Sequence, residues 1–303
     1  MAETSHIWLD GKFVRSQDAT VNILTHSLQY GSGIFEGIRC YDTKKGPAIF
    51  RLEDHMKRFL LSAKIYGMPI KFTQKQLEDA VCDTIEKNNL KSAYIRPFGY
   101  YNSEGIGFST KGKTTSVAIA ALPFGRLFGG SKGLRCKVSS WQRINSSTLP
   151  AGAKASGNYL NSIIASKDAQ DSGYDEAILL TNFGRTVAEG PGENIFVVQE
   201  GVLVTPSKSS DILLGITRDT IIKLAGELGI DVVERDVRRE ELYTSDEVFF
   251  SGTAAEIQPI ISVDSRQVGD GKPGPITLNL SRKYYELVKG EGKSFSQWLR
   301  LVK

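Results

Sequence analysis

Short apolar runs joined across tight glycine turns recur along the chain, and this limits its architecture more than any other feature. Residues 7–9 and 12–15 flank Asp10-Gly11, a dipeptide whose backbone preference suits a two-residue hairpin turn. Residues 175–181 and 186–188 flank Asn182-Phe183-Gly184, and 194–199 and 202–205 flank Glu200-Gly201. Further strands are expected at Ala93–Arg96, Ser116–Leu122, 134–140, 230–234 and 247–251. Helices are expected where apolar residues repeat every three or four positions: 52–66, with Met56, Phe59, Leu60 and Ala63 on one stripe, and 74–88, where Thr73 and Gln76 make a capping-box pattern. Others are expected at 157–171, 218–228 and 276–288, the first two ending at Gly173 and Gly229. Hairpins outnumber strand–helix–strand crossovers, so each half reads as α+β with antiparallel or mixed sheet.

Three hundred and three residues suffice for two domains. Residues 123–133, rich in glycine and without periodicity, are read as an interdomain loop. They divide a smaller α+β domain at 1–122 from a larger one at 134–303 that carries Lys154. A net charge of +4 without a clustered basic run argues against nucleic acid as a partner. No apolar stretch approaches the roughly 18 residues of a membrane span. The first residues lack the basic and apolar regions of a signal peptide. Cys40, Cys82 and Cys136 form no CxxC and no metal-ligand spacing, which sets the expectation of reduced thiols, a cytoplasmic location and no metal. Histidine is scarce (His6, His26 and His55), so a His-based nucleophile triad is poorly supplied.

Lys154 is the residue that points to chemistry. It lies in Leu149-Pro-Ala-Gly-Ala-Lys-Ala-Ser-Gly-Asn-Tyr159, fenced by residues small enough to let backbone approach a ligand closely. Two turns suit an anion. Gly215-Ile216-Thr217 opens a helix whose first amides have no internal partner, and Ser251-Gly252-Thr253 follows an apolar strand. Taken alone, each is read as a plain cap or turn. Arg58, beside the apolar stripe of its helix, is either a solvated arginine or a third anion anchor. Glu189 ends an apolar strand before Gly190-Pro191-Gly192, and Glu193 is the competing acid, better suited to pairing with arginines or amides. Tyr94 and Arg96 share one face of a strand, with Ile95 turned to the core. A buried amine, an acid and two anion-binding turns are the parts needed to hold pyridoxal 5'-phosphate (PLP) as a Schiff base, the acid favouring a protonated ring nitrogen.

Seven segments in register resemble one family. They are Tyr30-Gly-Ser-Gly-Ile-Phe-Glu-Gly-Ile-Arg39, His55-Met-Lys-Arg58, Ala93-Tyr-Ile-Arg-Pro97, Ala153-Lys-Ala-Ser-Gly-Asn-Tyr159, Glu189-Gly-Pro-Gly-Glu-Asn194, Leu214-Gly-Ile-Thr-Arg-Asp219 and Ser251-Gly-Thr-Ala-Ala-Glu256. The chain closely resembles the branched-chain amino acid aminotransferases of the fold-type-IV PLP class. The resemblance implies a two-domain α+β subunit of the D-amino acid aminotransferase-like fold with PLP in the cleft. It also implies a homodimer with shared active sites, with further assembly to hexamers left open. Lys154 would form the Schiff base. Arg58, the Ile216 amide, Thr217 and Thr253 would hold the phosphate, Glu189 would face the ring nitrogen, Tyr159 the ring oxygen, and Leu213 would pack on the ring. Tyr94 and the turn amides at Thr253, Ala254 and Ala255 would receive the substrate α-carboxylate. Phe35, Gly37 and a partner-derived Tyr30 would shape the side-chain pocket, and Arg96 would bind the distal carboxylate of glutamate and 2-oxoglutarate. The implied reaction is transamination between L-Leu, L-Ile or L-Val and 2-oxoglutarate.

Two departures bear on substrate ranking. The stretch that carries Trp and Tyr in bacterial members reads Phe124-Gly-Arg126-Leu127-Phe128 here, and Phe108 stands near a position usually small and aliphatic, which the resemblance implies would project from the partner subunit. The same fold also serves D-amino acid aminotransferases and aminodeoxychorismate lyases, which are expected to lack the Tyr94–Arg96 pair beside Glu-Gly-Ile-Arg39. A non-catalytic relative would not be expected to keep Lys154, Glu189 and both turns.

Overall fold

The computed structural model describes residues 4–125, 133–181, 184–292 and 294–302. The chain divides into two compact units: Met1–Gly125 with Ala153–Gly157 and Glu286–Lys303, and Arg126–Gly152 with Asn158–Tyr285. The lysine segment thus belongs to the first unit, although the chain on either side of it belongs to the second. Most of the expected interdomain loop, residues 126–132, lies outside the described residues, as do Asn182 and Phe183 of one expected turn.

In the first unit, β1 (His6–Leu9) and β2 (Lys12–Arg15) form the expected hairpin. Asp10 and Gly11 both take positive φ, as that turn requires. After α1 (His26–Tyr30) come β3 (Gly33–Phe35), β4 (Ile38–Thr43), β5 (Gly46–Phe50), β6 (Ala93–Tyr101) and β7 (Thr115–Pro123). The strand Leu299–Leu301 joins β5 as the sheet edge, giving the order Leu299–Leu301, β5, β4, β6, β7, β1, β2, with β3 also on β6. All these pairings are antiparallel.

β3 and β4 pair with β6 in one unbroken register, interrupted only at Glu36-Gly37. The interruption faces Arg96-Pro97, and proline has no amide hydrogen to give the ladder. Glu36 N still donates to Pro97 O at 2.9 Å. The sequence does not announce this strand pair, because its glycines mimic a loop.

Helices α2 (Leu52–Ile65) and α3 (Gln74–Lys87) bury Met56, Phe59, Leu77, Val81 and Ile85 against Ile38, Ile95 and Ile119 of the sheet. The capping box of α3 is present: Thr73 Oγ1 accepts from Gln76 N, and Gln76 Oε1 accepts from Thr73 N. The C-terminal segment clasps the start of α2. Arg51 N donates to Trp298 O at 2.7 Å, and the Arg51 guanidinium lies 4.4 Å from the Trp298 ring centre.

The second unit is built on β8 (Leu134–Val138), β9 (Glu176–Leu180), β10 (Val187–Glu189), β11 (Asn194–Gln199), β12 (Val202–Thr205), β13 (Val232–Glu234), β14 (Glu247–Gly252), β15 (Glu256–Val263) and β16 (Arg266–Gln267). Their order is β10, β9, β8, β15, β14, β11, β12, β13, with β16 on β15. The sheet is mixed: β8 runs parallel to β9 and β15, and β12 to β13. β15 is not expected from sequence, because Pro259 argues against a strand. That proline lies one residue before the point at which β8 joins the sheet.

Helix α4 (Tyr159–Asp171) packs Ala165 and Ala169 on Ala177 and Leu179 of β9. Helix α5 (Ile216–Glu227) begins two residues before the expected 218, so Ile216 and Thr217 form its first turn. Short α6 (Glu241–Thr244) and α7 (Pro275–Val288) complete the helices. Among the described residues no helix is long and apolar enough to cross a membrane.

Candidate active site

In the first unit, the small residues around Lys154 have a visible purpose. Phe35 N donates to Lys154 O at 3.0 Å, and Ala155 bridges Ile34, so the segment extends the sheet beside β3. Lys154 N donates to Ser62 Oγ of α2 at 3.0 Å, and Gly157 N donates to Gly31 O at 3.1 Å. A Cβ on Gly31, whose φ is +66°, would stand 3.3 Å from Gly157 Cα. Ala153 and Ala155 are buried. Backbone meets backbone on both sides of the lysine, and larger side chains would prevent it. The ammonium lies 5.1 Å from the Phe35 ring centre.

Tyr94 and Arg96 project from one face of β6, as alternation requires, while Ile95 enters the core. Arg96 Nη2 donates to Tyr94 Oη at 3.2 Å, and its guanidinium stacks 4.6 Å from the Phe35 ring centre. Gly37 makes this possible, since a Cβ there would fall 1.9 Å from Tyr94 Oη. Phe124 packs on Tyr94 with ring centres 5.2 Å apart, and Arg39 donates to Gly125 O at 3.1 Å. Tyr30 Oη accepts from Gly107 N at 2.9 Å and meets Phe108 edge-on, and Phe108 is 86% exposed.

Arg58 is engaged by a partner that sequence reasoning does not single out. Glu36, wholly buried, accepts from Arg58 Nε at 2.6 Å and Nη2 at 2.9 Å, and its Oε2 also meets His55 Nδ1 at 2.8 Å. Burial pushes the Glu36 carboxyl up, but Arg58 and then His55 more than reverse this and hold it well below the ordinary carboxylate range. Burial pushes the His55 imidazole down, against the pull of Glu36.

In the second unit, Glu189 is buried at the end of β10. Its Oε1 accepts from Arg143 Nε at 2.7 Å and its Oε2 from Asn194 Nδ2 at 2.9 Å, with Leu213 N 3.2 Å from Oε2. Asn194 Nδ2 also donates to Leu213 O at 2.9 Å. Glu193 turns instead to its own loop, accepting from Gly192 N at 3.0 Å. Asn194 closes one of the seven recognisable segments, whereas Arg143 carries no pattern that could have found it.

The N-cap of α5 is Gly215, which offers no side chain to the first amides, and Thr217 is buried just inside the helix. A Cβ on Gly215 would stand 2.0 Å from Asn194 Oδ1, so the residue that orients Glu189 also leans on the helix start. Asn194 pairs across the sheet with Ser251, and Thr253–Ala255 form the turn between β14 and β15. Among the described residues, Ser251 Oγ is buried without a hydrogen-bond partner, an orphan acceptor and donor next to that turn. Tyr159, half-buried, opens α4. Acid, ring-sized apolar residue, helix N-terminus and hydroxyl turn thus converge, and this donor set fits a phosphorylated pyridine. Among the described residues no cluster of His, Cys, Asp or Glu could hold a metal ion.

Residues 33–263 match the family described as amino-transferase class IV. The chain is 48% identical over 301 residues to a branched-chain-amino-acid aminotransferase of Salmonella typhimurium, covering 98% of this chain and 97% of the relative. The crystal structure of the Escherichia coli branched-chain amino acid aminotransferase superposes with a TM-score of 0.96 at 47% identity, covering 99% of this chain and 100% of that one. The branched-chain aminotransferase of the thermophilic archaeon Thermoproteus uzoniensis, solved with norvaline, superposes at 0.95 with 46% identity, covering 99% of this chain and 100% of that one.

Proposed function

The chain belongs to the class IV aminotransferases, and on that footing we propose that it exchanges amino groups between L-Leu, L-Ile or L-Val and 2-oxoglutarate. PLP is its cofactor, as for the class. The observation that carries the reading is the 48% identity to a branched-chain-amino-acid aminotransferase over 98% of this chain and 97% of the relative. The D-amino acid and lyase readings are not favoured by these relatives.

When bound, PLP supplies the electron sink that lets a substrate Cα lose its proton. The chain's residues do the rest. Lys154 would hold the cofactor covalently until the substrate amine displaces it, and its freed Nζ would take the proton from the substrate Cα as base and deliver it to the cofactor C4′ as acid. Its backbone, fixed at both N and O, keeps that amine in one place. Glu189 keeps a proton on the ring nitrogen, supported by Arg143 and Asn194. Arg58, the Ile216 amide, Thr217 and Thr253 take the phosphate, Tyr159 the ring oxygen, and Leu213 the ring face. Tyr94 and the amides of Thr253, Ala254 and Ala255 receive the α-carboxylate. Phe35, Gly37 and Tyr30 bound the side-chain pocket, and Arg96 meets the distal carboxylate of the acidic partner.

The proposal extends to a homodimer in which Tyr30 and Phe108 serve the partner's site. Support comes from exposed apolar side chains: Leu160, Ile163 and Ile164 on α4, and Ile106 beside Phe108. A cytoplasmic location agrees with three free cysteines.

Initial rates with a panel of L- and D-amino donors and 2-oxoglutarate test the function. Parallel-line ping-pong kinetics with L-Leu, L-Ile and L-Val are expected. Turnover confined to D-donors, or an aromatic donor far ahead of all three, would overturn it.

A further inference from the structure

A wholly buried carboxylate is expensive, and an ion pair inside a protein is often no more stable than apolar residues of the same size. Glu36 therefore calls for an explanation other than stability. It occupies the gap between β3 and β4 that Pro97 opens, and its Oε1 and Oε2 grip the Nε–Nη2 edge of Arg58. Arginine's donors form a rigid plane, so fixing one edge fixes the direction of the other. His55, Arg58 and Ser62 fall on one face of α2 at spacings of three and four. Glu36 ties down the first two, and Ser62 holds the Lys154 amide. Phe35, next to Glu36, holds the Lys154 carbonyl.

We infer that Glu36 is a positioning residue that aims Arg58 at the cofactor phosphate and sets that arginine in fixed relation to the Lys154 backbone. The inference rests on the reading of Arg58 as a phosphate ligand. Glu36→Gln keeps the shape and a contact to His55 but loses the charge and the two-point grip.

The test uses full-length apoprotein titrated with PLP and, separately, with pyridoxal, which lacks the phosphate. Binding is followed by cofactor absorbance, and melting temperature is recorded for each variant. Glu36→Gln should raise the PLP dissociation constant roughly ten- to a hundredfold, the size of one charge-assisted contact. Pyridoxal labelling of Lys154 under borohydride should change less than about twofold. Glu36→Asp, with charge but shorter reach, should fall between. Arg58→Ala should weaken PLP comparably, and adding Glu36→Gln to it should cost little more, because the two act as one unit. Equal losses for PLP and pyridoxal, or a lowered melting temperature with PLP affinity unchanged, would show a merely structural carboxylate. If Arg58→Ala leaves PLP affinity intact, the phosphate reading of Arg58 falls and the inference with it. If Arg58→Ala weakens PLP but Glu36→Gln does not, only the inference falls.

Discussion

Two acids, Glu189 and Glu193, stand four residues apart, and their surroundings separate them. Glu189 receives Arg143, Asn194 and the Leu213 amide, whereas Glu193 is bonded to its own turn. Glu189→Gln should therefore lower kcat by roughly 10²–10³, the scale of losing one preorganised charge at a reacting centre. Glu193→Gln should cost far less. Equal losses in steady-state rates would mean that the wrong acid has been assigned to the ring nitrogen. Arg96 offers a second residue-scale prediction. A pocket that accepts both an apolar and an acidic side chain needs its distal carboxylate contact for only one of them. Arg96→Ala should slow the half-reaction with 2-oxoglutarate roughly ten- to a hundredfold and that with leucine much less, reflecting about 1.5–3 kcal/mol of charge-assisted bonding. Because Arg96 also braces Tyr94 and Phe35, stopped-flow measurement of each half-reaction is the proper readout. An equal slowing would make Arg96 structural.

At the scale of elements, the start of α5 and the end of β10 are joined through one asparagine. Gly215 has extended backbone angles that any residue adopts, so alanine there meets no backbone strain. Its Cβ would instead displace Asn194 Oδ1. Gly215→Ala should thus strip Glu189 and Leu213 of a shared donor, costing about 1–3 kcal/mol of stability and weakening PLP retention. A melt and a PLP titration both unchanged would refute the coupling. The elements themselves are unevenly legible in the sequence. The Asp10-Gly11 hairpin and helices α2 and α3 announce themselves through turn chemistry, the Thr73 capping box and a regular apolar stripe, whereas short α1 does not. β3, β4, β5 and β15 do not, because Gly33, Gly37, Pro47 and Pro259 are normally loop residues; Gly37 lies at the break between β3 and β4, and the other three take their places in strands only through partners across the sheet. In the site, Lys154 and Glu189 stand out through their unusual neighbours. Arg143, Ser62, Glu36 and His55 do not, because their importance lies in which side chain they meet across the fold, and no local pattern encodes that.

At the scale of the whole molecule, the proposed homodimer would cover the apolar side chains exposed on α4. Sedimentation at micromolar concentration should give a multiple of the 33.3 kDa chain mass, two at least. Ile163→Asp should push the equilibrium towards single chains, and a persisting dimer would locate the contact elsewhere. The clasp between Trp298 and Arg51 has a separate consequence, for biosynthesis. It anchors the start of the helix whose Ser62 holds Lys154, and both it and the edge strand beside it are made long after that helix. Contacts so distant in sequence close late and slowly. In a nascent polypeptide the start of that helix therefore stays without its clasp, and β5 without its edge strand, until residues 298–301 have left the ribosome.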